Sequence, residues 1–216
     1  MTDTLVPLFS SPLYISEDND NMPDIMPELC ASGIVQGGWD NTLPNSFRSI
    51  ELTHSNGGQQ SVDNNILDRF PELKQWVMKH VNIYCFDIME IDSDSHTVDI
   101  VCSWLNVHPQ FARAPRHTHR NSCYSGTFYI QTFGGCGDLI FERSDHQILC
   151  PTYRQQNVYN SSSWTITPKD GTMLLFPSSV MHYVQPNEKM YERVSIAFNV
   201  IVRGQFGNPT SFLTIQ

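Results

Sequence analysis

Positive charge is scarce in this sequence. Thirteen Lys and Arg stand against 22 Asp and Glu in 216 residues, a formal net charge of −9. Nucleic-acid affinity rests mainly on neutralising phosphates with Lys and Arg, so the balance argues against nucleic acid as the main partner and leaves room only for a local basic patch. Long hydrophobic runs are also missing. No stretch approaches the roughly 20 apolar residues that span a bilayer. The opening MTDTLVPLFSSPLY has no basic region followed by a long apolar stretch, so neither a membrane partner nor a signal peptide is expected. Six cysteines are present, Cys30, Cys85, Cys102, Cys123, Cys136 and Cys150, but no two stand in a C-x-x-C spacing. That argues against a zinc knuckle and favours reduced, mostly buried thiols in a cytoplasmic protein. The chain shows no internal repeat, no low-complexity segment and no obvious acid–base dyad.

What is present suits one domain spanning 1–216. Hydrophobic residues make up 40% and charged residues 16%, enough for a core and too little charge for disorder. Residues 1–96 read as extended segments and supporting helices. The first 60 are rich in Pro, Ser, Asn, Asp and Gly, with a short helix expected near 24–31 and a turn at Asn56-Gly57-Gly58. Residues 61–90 read as helical. Pro71 suits a first-turn position, and Leu73, Trp76, Val77, His80, Val81 and Tyr84 form one apolar face that calls for a sheet. His80 on that face reads as a packing or surface histidine. From 97 to 203 short β-prone runs follow at 97–108, 123–131, 138–142, 163–167, 172–176, 180–185 and 192–202, with turn signals between them. Seven or so strands after helices imply a sandwich or jelly roll with helices on one side. Residues 204–216 read as a tail.

The last strand alternates cleanly. Val194, Ile196, Phe198 and Val200 share one face, which should meet the core. Arg193, Ser195, Ala197 and Asn199 share the other, which can line a cavity. His117-Thr118-His119 puts two imidazoles on one side of an extended segment, and Pro115 keeps that segment out of helix. Alone, H-x-H is weak evidence and suits two exposed loop histidines. His182 returns after the apolar strand 173–176 and the turn at Pro177, on the face of Val180 and Val184. These three histidines are expected to form one mononuclear metal site in a β-rich barrel. If the strands of His182 and Arg193 are neighbours, both point into one cavity. A buried arginine needs an anion. Glu142 or Glu192 would supply it structurally, a substrate carboxylate functionally, with Ser195 as a second donor.

These pieces, taken in order, resemble the Fe(II)/2-oxoglutarate-dependent oxygenase superfamily, and within it a family of 2-oxoglutarate oxygenases of marine bacteria and cyanophages. The carriers are Trp104-Leu105-Asn106, His117–His119, Ser125–Ile130, Gly171–His182 and Glu192–Asn199, together with Pro7–Pro12 near the start. Five motifs in order are more specific than any one of them. The resemblance implies a mainly β double-stranded β-helix, a jelly-roll, cupin-like barrel with supporting α-helices from the N-terminal half. It implies Fe(II) as cofactor, 2-oxoglutarate and O2 as cosubstrates, and hydroxylation of a substrate C–H with release of succinate and CO2. His117 and His182 match the superfamily's two histidine ligands. His119 stands where a carboxylate usually does, a departure that leaves more positive charge on the metal. Arg193 matches the residue that pairs with the far carboxylate of 2-oxoglutarate, and Ser195 the hydroxyl beside it. Tyr129 and Asn106 match cosubstrate-facing positions, or serve as buried hydrogen-bonding residues of the barrel. Trp104 reads as core. A phage-encoded member would work in its host's cytoplasm.

Three alternatives stay open: a three-histidine cupin-type metal dioxygenase without 2-oxoglutarate, a zinc hydrolase or hydratase, and a non-catalytic barrel that serves as a binding module. The primary substrate is not legible; a protein or peptide side chain is the first expectation, by family analogy. Arg113, Tyr153, Arg154 and Tyr159, before the H-x-H element and in the 145–160 loop, are candidate substrate contacts or ordinary surface residues.

Overall fold

A computed structural model describes residues 10–17, 22–25, 29, 50–55, 58–144, 151–208 and 210–216. Of the helix expected at 24–31 only Asp24, Ile25 and Leu29 are described, with Leu29 helical and its N–H donating to the Ile25 carbonyl at 3.1 Å. The rest of it, two residues of the Asn56–Gly58 turn, half of the Pro7–Pro12 opening, Cys30 and Cys150 lie outside the described residues. Twelve strands are described. They are β1 (Tyr14–Ser16), β2 (Leu52–Ser55), β3 (Gly58–Ser61), β4 (His96–His108), β5 (Ala114–His117), β6 (Tyr124–Gln131), β7 (Leu139–Glu142), β8 (Ser163–Ile166), β9 (Met173–Pro177), β10 (Met181–Val184), β11 (Arg193–Asn208) and β12 (Ser211–Ile215). One α-helix, α1 (Pro71–Asn82), follows a 3-10 turn at Ile66–Arg69 and runs on into a π-helical turn at Ile83–Ile88.

The eight strands from β4 to β11 form a jelly roll. The larger sheet runs β1-β9-β6-β11-β4-β3-β2, with β12 also paired to β11, and the smaller runs β5-β10-β7-β8. Consecutive strands from β4 to β11 alternate between sheets except where the β7–β8 pair turns back. All strand pairs are antiparallel. Each strand therefore shows one face to the barrel interior and one to the outside.

The alternation along β11 decides where the core lies. Val194, Ile196, Phe198 and Val200 are fully buried against Leu73, Trp76, Val77 and Val81 of α1 and Leu105 and Val107 of β4. The helix thus covers the outer face of the larger sheet, as its apolar stripe requires. Trp76 meets Phe128 of β6 edge-on with ring centroids 5.2 Å apart. His80 is a buried packing residue: its Nδ1 hydrogen-bonds the Tyr14 hydroxyl at 2.8 Å and its ring lies 4.3 Å from that of Trp76. A smaller interior cluster of Tyr129, Leu139, Phe141, Leu174 and Phe176 joins the two sheets.

The structure adds elements that the sequence pattern hides. The first three strands and β12 were not expected, and β11 runs past 202 to Asn208 before it turns into β12. Among the described residues Cys85, Cys102, Cys123 and Cys136 are free thiols, and burial pushes that of Cys85 up to about 12. No described helix is long and apolar enough to cross a membrane.

Candidate metal and anion site

The strand register assembles the three histidines. His182 on β10 lies directly opposite His117 on β5, so both side chains leave the same face of the smaller sheet. His119 lies just past the end of β5. Its backbone N–H donates to the carbonyl of Ser178 at 3.0 Å, which pins the segment after β5 to the β9–β10 turn. The side chain of Ser178 is held in turn by the hydroxyls of Ser122 and Ser125 at 2.9 and 2.8 Å.

The result is a compact set of donors. One ligand atom from each of His117, His119 and His182 lies within 4.8 Å of the others. Two of the rings are oriented for metal binding. A carbonyl oxygen only accepts, so Nδ1 of His117 donates to Pro115 at 2.7 Å and Nδ1 of His182 donates to Val180 at 2.9 Å. Each bond fixes the tautomer and leaves Nε2 free, as in histidines that bind metals. Burial, then the neighbouring histidines His182 and His117, lower the His119 ring to about 4. Burial is also the main cause that brings His182 down to about 4. Both imidazoles are therefore neutral near pH 7, the form that ligates. Three imidazole nitrogens within reach of one point suit a first-row divalent ion with open coordination positions. Among the described residues no carboxylate joins this cluster.

Trp104 requires a correction. It was expected in the core, but it stands on the β4 face that also carries Asn106 and is only partly buried. Its ring lies 5.9 Å from that of His119, which makes it a wall of the candidate metal site. On the other side Phe176 and Phe141 approach His182, at 4.9 and 5.9 Å.

A second polar group lies on the facing sheet. Ser195 on β11 is opposite both Asn106 on β4 and Tyr129 on β6, so three of the expected cosubstrate residues stand in one row on the barrel's inner face. Arg193 is next along β11 on that face, 1% exposed. Its strand and that of His182 are not neighbours, contrary to one condition set from the sequence. They lie in opposite sheets, and the shared interior is the space between them. Neither Glu142 nor Glu192 serves Arg193. Glu142 pairs with Arg116 instead, and burial holds the partly exposed Glu192 carboxyl above its usual range. One Nη of Arg193 donates to the carbonyls of Cys136 and Gly137 at 3.2 and 3.4 Å. Gly137 has φ +94, and a side chain there would run into the carbonyl of Gln185, so only glycine brings this carbonyl up to the guanidinium. Nε of Arg193 is buried and has no hydrogen-bond partner among the described residues. Leaving a buried donor unmet costs about 1–3 kcal/mol. Burial pushes the phenol of Tyr129 up to about 12, so it remains a hydrogen-bond donor.

One residue escaped the sequence reading. His108 is opposite Arg193 on β4 and 8% exposed. Strand alternation from Asn106 would have placed it on the same face. The four candidate substrate residues, Arg113, Tyr153, Arg154 and Tyr159, are all exposed.

Comparison with known proteins agrees with this geometry. Residues 102–199 match the family model of a 2OG-Fe(II) oxygenase. A search of curated proteins finds no match. Among solved structures, a prolyl hydroxylase from Trichoplax adhaerens, in complex with a hypoxia inducible factor oxygen degradation domain peptide fragment, aligns at TM-score 0.52 and 14% identity over 88% of this chain and 83% of that one. SnoN, a non-heme alpha ketoglutarate dependent epimerase from nogalamycin biosynthesis, aligns at 0.51 and 8% identity over 71% and 67%. At such identities these neighbours speak to the fold, which is the jelly-roll barrel of 2OG oxygenases. The matched segment, residues 102–199, holds all three histidines and Arg193, and the model it matches is that of a 2OG-Fe(II) oxygenase, a family named for Fe(II) and 2-oxoglutarate.

Proposed function

We propose that the protein is an Fe(II)- and 2-oxoglutarate-dependent dioxygenase that hydroxylates a C–H bond of its substrate. The observation that carries this reading is Arg193: a fully buried guanidinium without a carboxylate partner among the described residues, on an inner barrel face opposite three clustered histidines. The donor set fits the family's groups. His117, His119 and His182 would hold the iron. Arg193 and Ser195 would hold the far carboxylate of 2-oxoglutarate, with Tyr129 and Asn106 beside it. The chemistry supplied when both are bound is oxidative decarboxylation, one oxygen atom of O2 ending in succinate and the other in the substrate's new hydroxyl, with CO2 released.

The chain's own residues bind, orient and shield. The Pro115 and Val180 carbonyls aim two imidazoles. Phe141, Phe176 and Trp104 line the histidines with apolar surface, which limits water near the metal. No side chain needs to move a proton. The substrate would be a protein or peptide side chain, a reading supported by the fold shared with a hydroxylase that carries a peptide. Exposed Arg113, Tyr153, Arg154 and Tyr159 are the proposed contacts. The absence of a described carboxylate from the metal cluster favours one second reading, a cupin-type dioxygenase in which Arg193 binds the substrate's own carboxylate.

Anaerobic titration separates the two. Fe(II) followed by 2-oxoglutarate should produce a visible metal-to-ligand charge-transfer band. A protein that binds Fe(II) but shows no band on addition of 2-oxoglutarate would follow the second reading.

A further inference from the structure

We propose that His108 is a binding residue for the same carboxylate that Arg193 holds, donating to it through Nδ1–H. This rests on the 2-oxoglutarate reading and adds a partner beyond the arginine and the serine.

Three observations meet at this ring. First, His108 and Arg193 are directly opposed on β4 and β11, so their side chains leave the same face as neighbours. Second, Nδ1 of His108 and Nε of Arg193 are both buried and both without a hydrogen-bond partner among the described residues. Two adjacent orphaned polar atoms do not satisfy each other here. An anion with two oxygens satisfies both. Third, the ring's orientation is set by β3. A Cβ built on Gly58 would sit 3.1 Å from Cδ2 and 3.4 Å from Nε2 of His108. That edge of the imidazole therefore faces β3, and the Nδ1 edge faces away from it. On β4, away from β3 is toward β11 and Arg193.

The charge state suits the role. Burial, and then the Arg193 guanidinium, bring His108 down to about 3. The ring is neutral at physiological pH and offers one N–H. It adds a donor beside the arginine without a second positive charge, so the pocket balances one carboxylate.

The test is calorimetric titration of anaerobic, Fe(II)-loaded protein with 2-oxoglutarate and, as a control, 2-oxobutyrate, which lacks the far carboxylate. His108→Phe fills the space without a donor. His108→Asn returns an N–H near the position of Nδ1. We expect H108F to weaken 2-oxoglutarate at least about tenfold, the scale of one hydrogen bond to a charged group, and H108N to stay within about threefold of wild type. Neither should change any binding of 2-oxobutyrate. Independently of any variant, the 15N resonance of His108 Nδ1 in Zn(II)-loaded wild type should move to a hydrogen-bonded N–H on addition of 2-oxoglutarate. Equal 2-oxoglutarate affinity in H108F and wild type, equal weakening in H108N and H108F, or an unmoved Nδ1 resonance overturns the inference alone. Wild type that binds no 2-oxoglutarate overturns the proposed function, and this inference with it.

Discussion

Arg193 is among the largest fully buried side chains of the protein, yet its described partners are two backbone carbonyls. A buried cation without a carboxylate is a poor contributor to stability, because desolvation outweighs what two neutral acceptors return. Its retention on an inner face is better explained by a ligand than by the fold. Arg193→Met should therefore stabilise the ligand-free protein, by about 1 kcal/mol or more, less than the roughly 1–4 kcal/mol of whole buried ion pairs because the Cys136 and Gly137 carbonyls lose their donor. The same variant should lose the thermal shift that 2-oxoglutarate gives the Fe(II)-loaded wild type under anaerobic conditions. Melting curves with and without the keto acid measure both effects. A variant less stable than wild type in the absence of ligand would make Arg193 a structural residue. At this scale the sequence was informative where alternation applies. His117 with His119, and Arg193 with Ser195, were paired by residue parity along extended segments. Trp104 was misread because a tryptophan's bulk suggests core, whereas its parity with Asn106 already put it on the inner face. His108 shares that parity and was passed over because no motif includes it.

The contact between β6 and β11 shows why one motif residue must be small. Gly126 stands opposite Phe198, and a Cβ on Gly126 would lie 2.3 Å from the tip of the phenyl ring and 2.8 Å from the Leu174 carbonyl. The ring lies over the glycine as part of the core beneath α1, and Phe198 is wholly buried. Gly126→Ala should destabilise the fold by about 1–3 kcal/mol, the range for overpacking a filled core. Urea unfolding would show this as a lower midpoint at unchanged slope. A neutral effect would mean that Phe198 has room to swing aside. The central elements were legible because each carries a strong period: 3.6 along α1, with Pro71 at its start, and 2 along β4, β6 and β11. The peripheral strands were not. β2 and β3 read LTHS and GQQS, with no apolar alternation, and they are strands because β4 offers an edge to pair with. The extension of β11 holds Gly204 and Gly207, which interrupt its side-chain alternation. Their φ values of +135 and +91 shape the end of the strand where it pairs with β12.

For the molecule as a whole, the same burial that prepares the site ties stability to pH. His108 has an ordinary value of 6.5 and is held down to about 3 in the folded protein, first by burial and then by Arg193. Above pH 6.5 the ring is neutral in both folded and unfolded chains and stability does not depend on it. As pH falls below 6.5 the unfolded chain takes up a proton that the folded one refuses, so stability drops, and the loss continues until pH nears 3. One pKa unit corresponds to about 1.4 kcal/mol, so this residue alone should remove about 2 kcal/mol between pH 6.5 and pH 5. His119 and His182, also held low in the metal-free protein, act in the same direction. Glu192, whose carboxyl is raised by burial, acts in the opposite direction over more acidic pH. Comparison of His108→Asn with wild type isolates the one residue. In denaturant unfolding of metal-free protein at pH 7 and pH 5, the variant should lose about 2 kcal/mol less than wild type over that interval. Identical losses would show that His108 is protonated in the folded protein at pH 5.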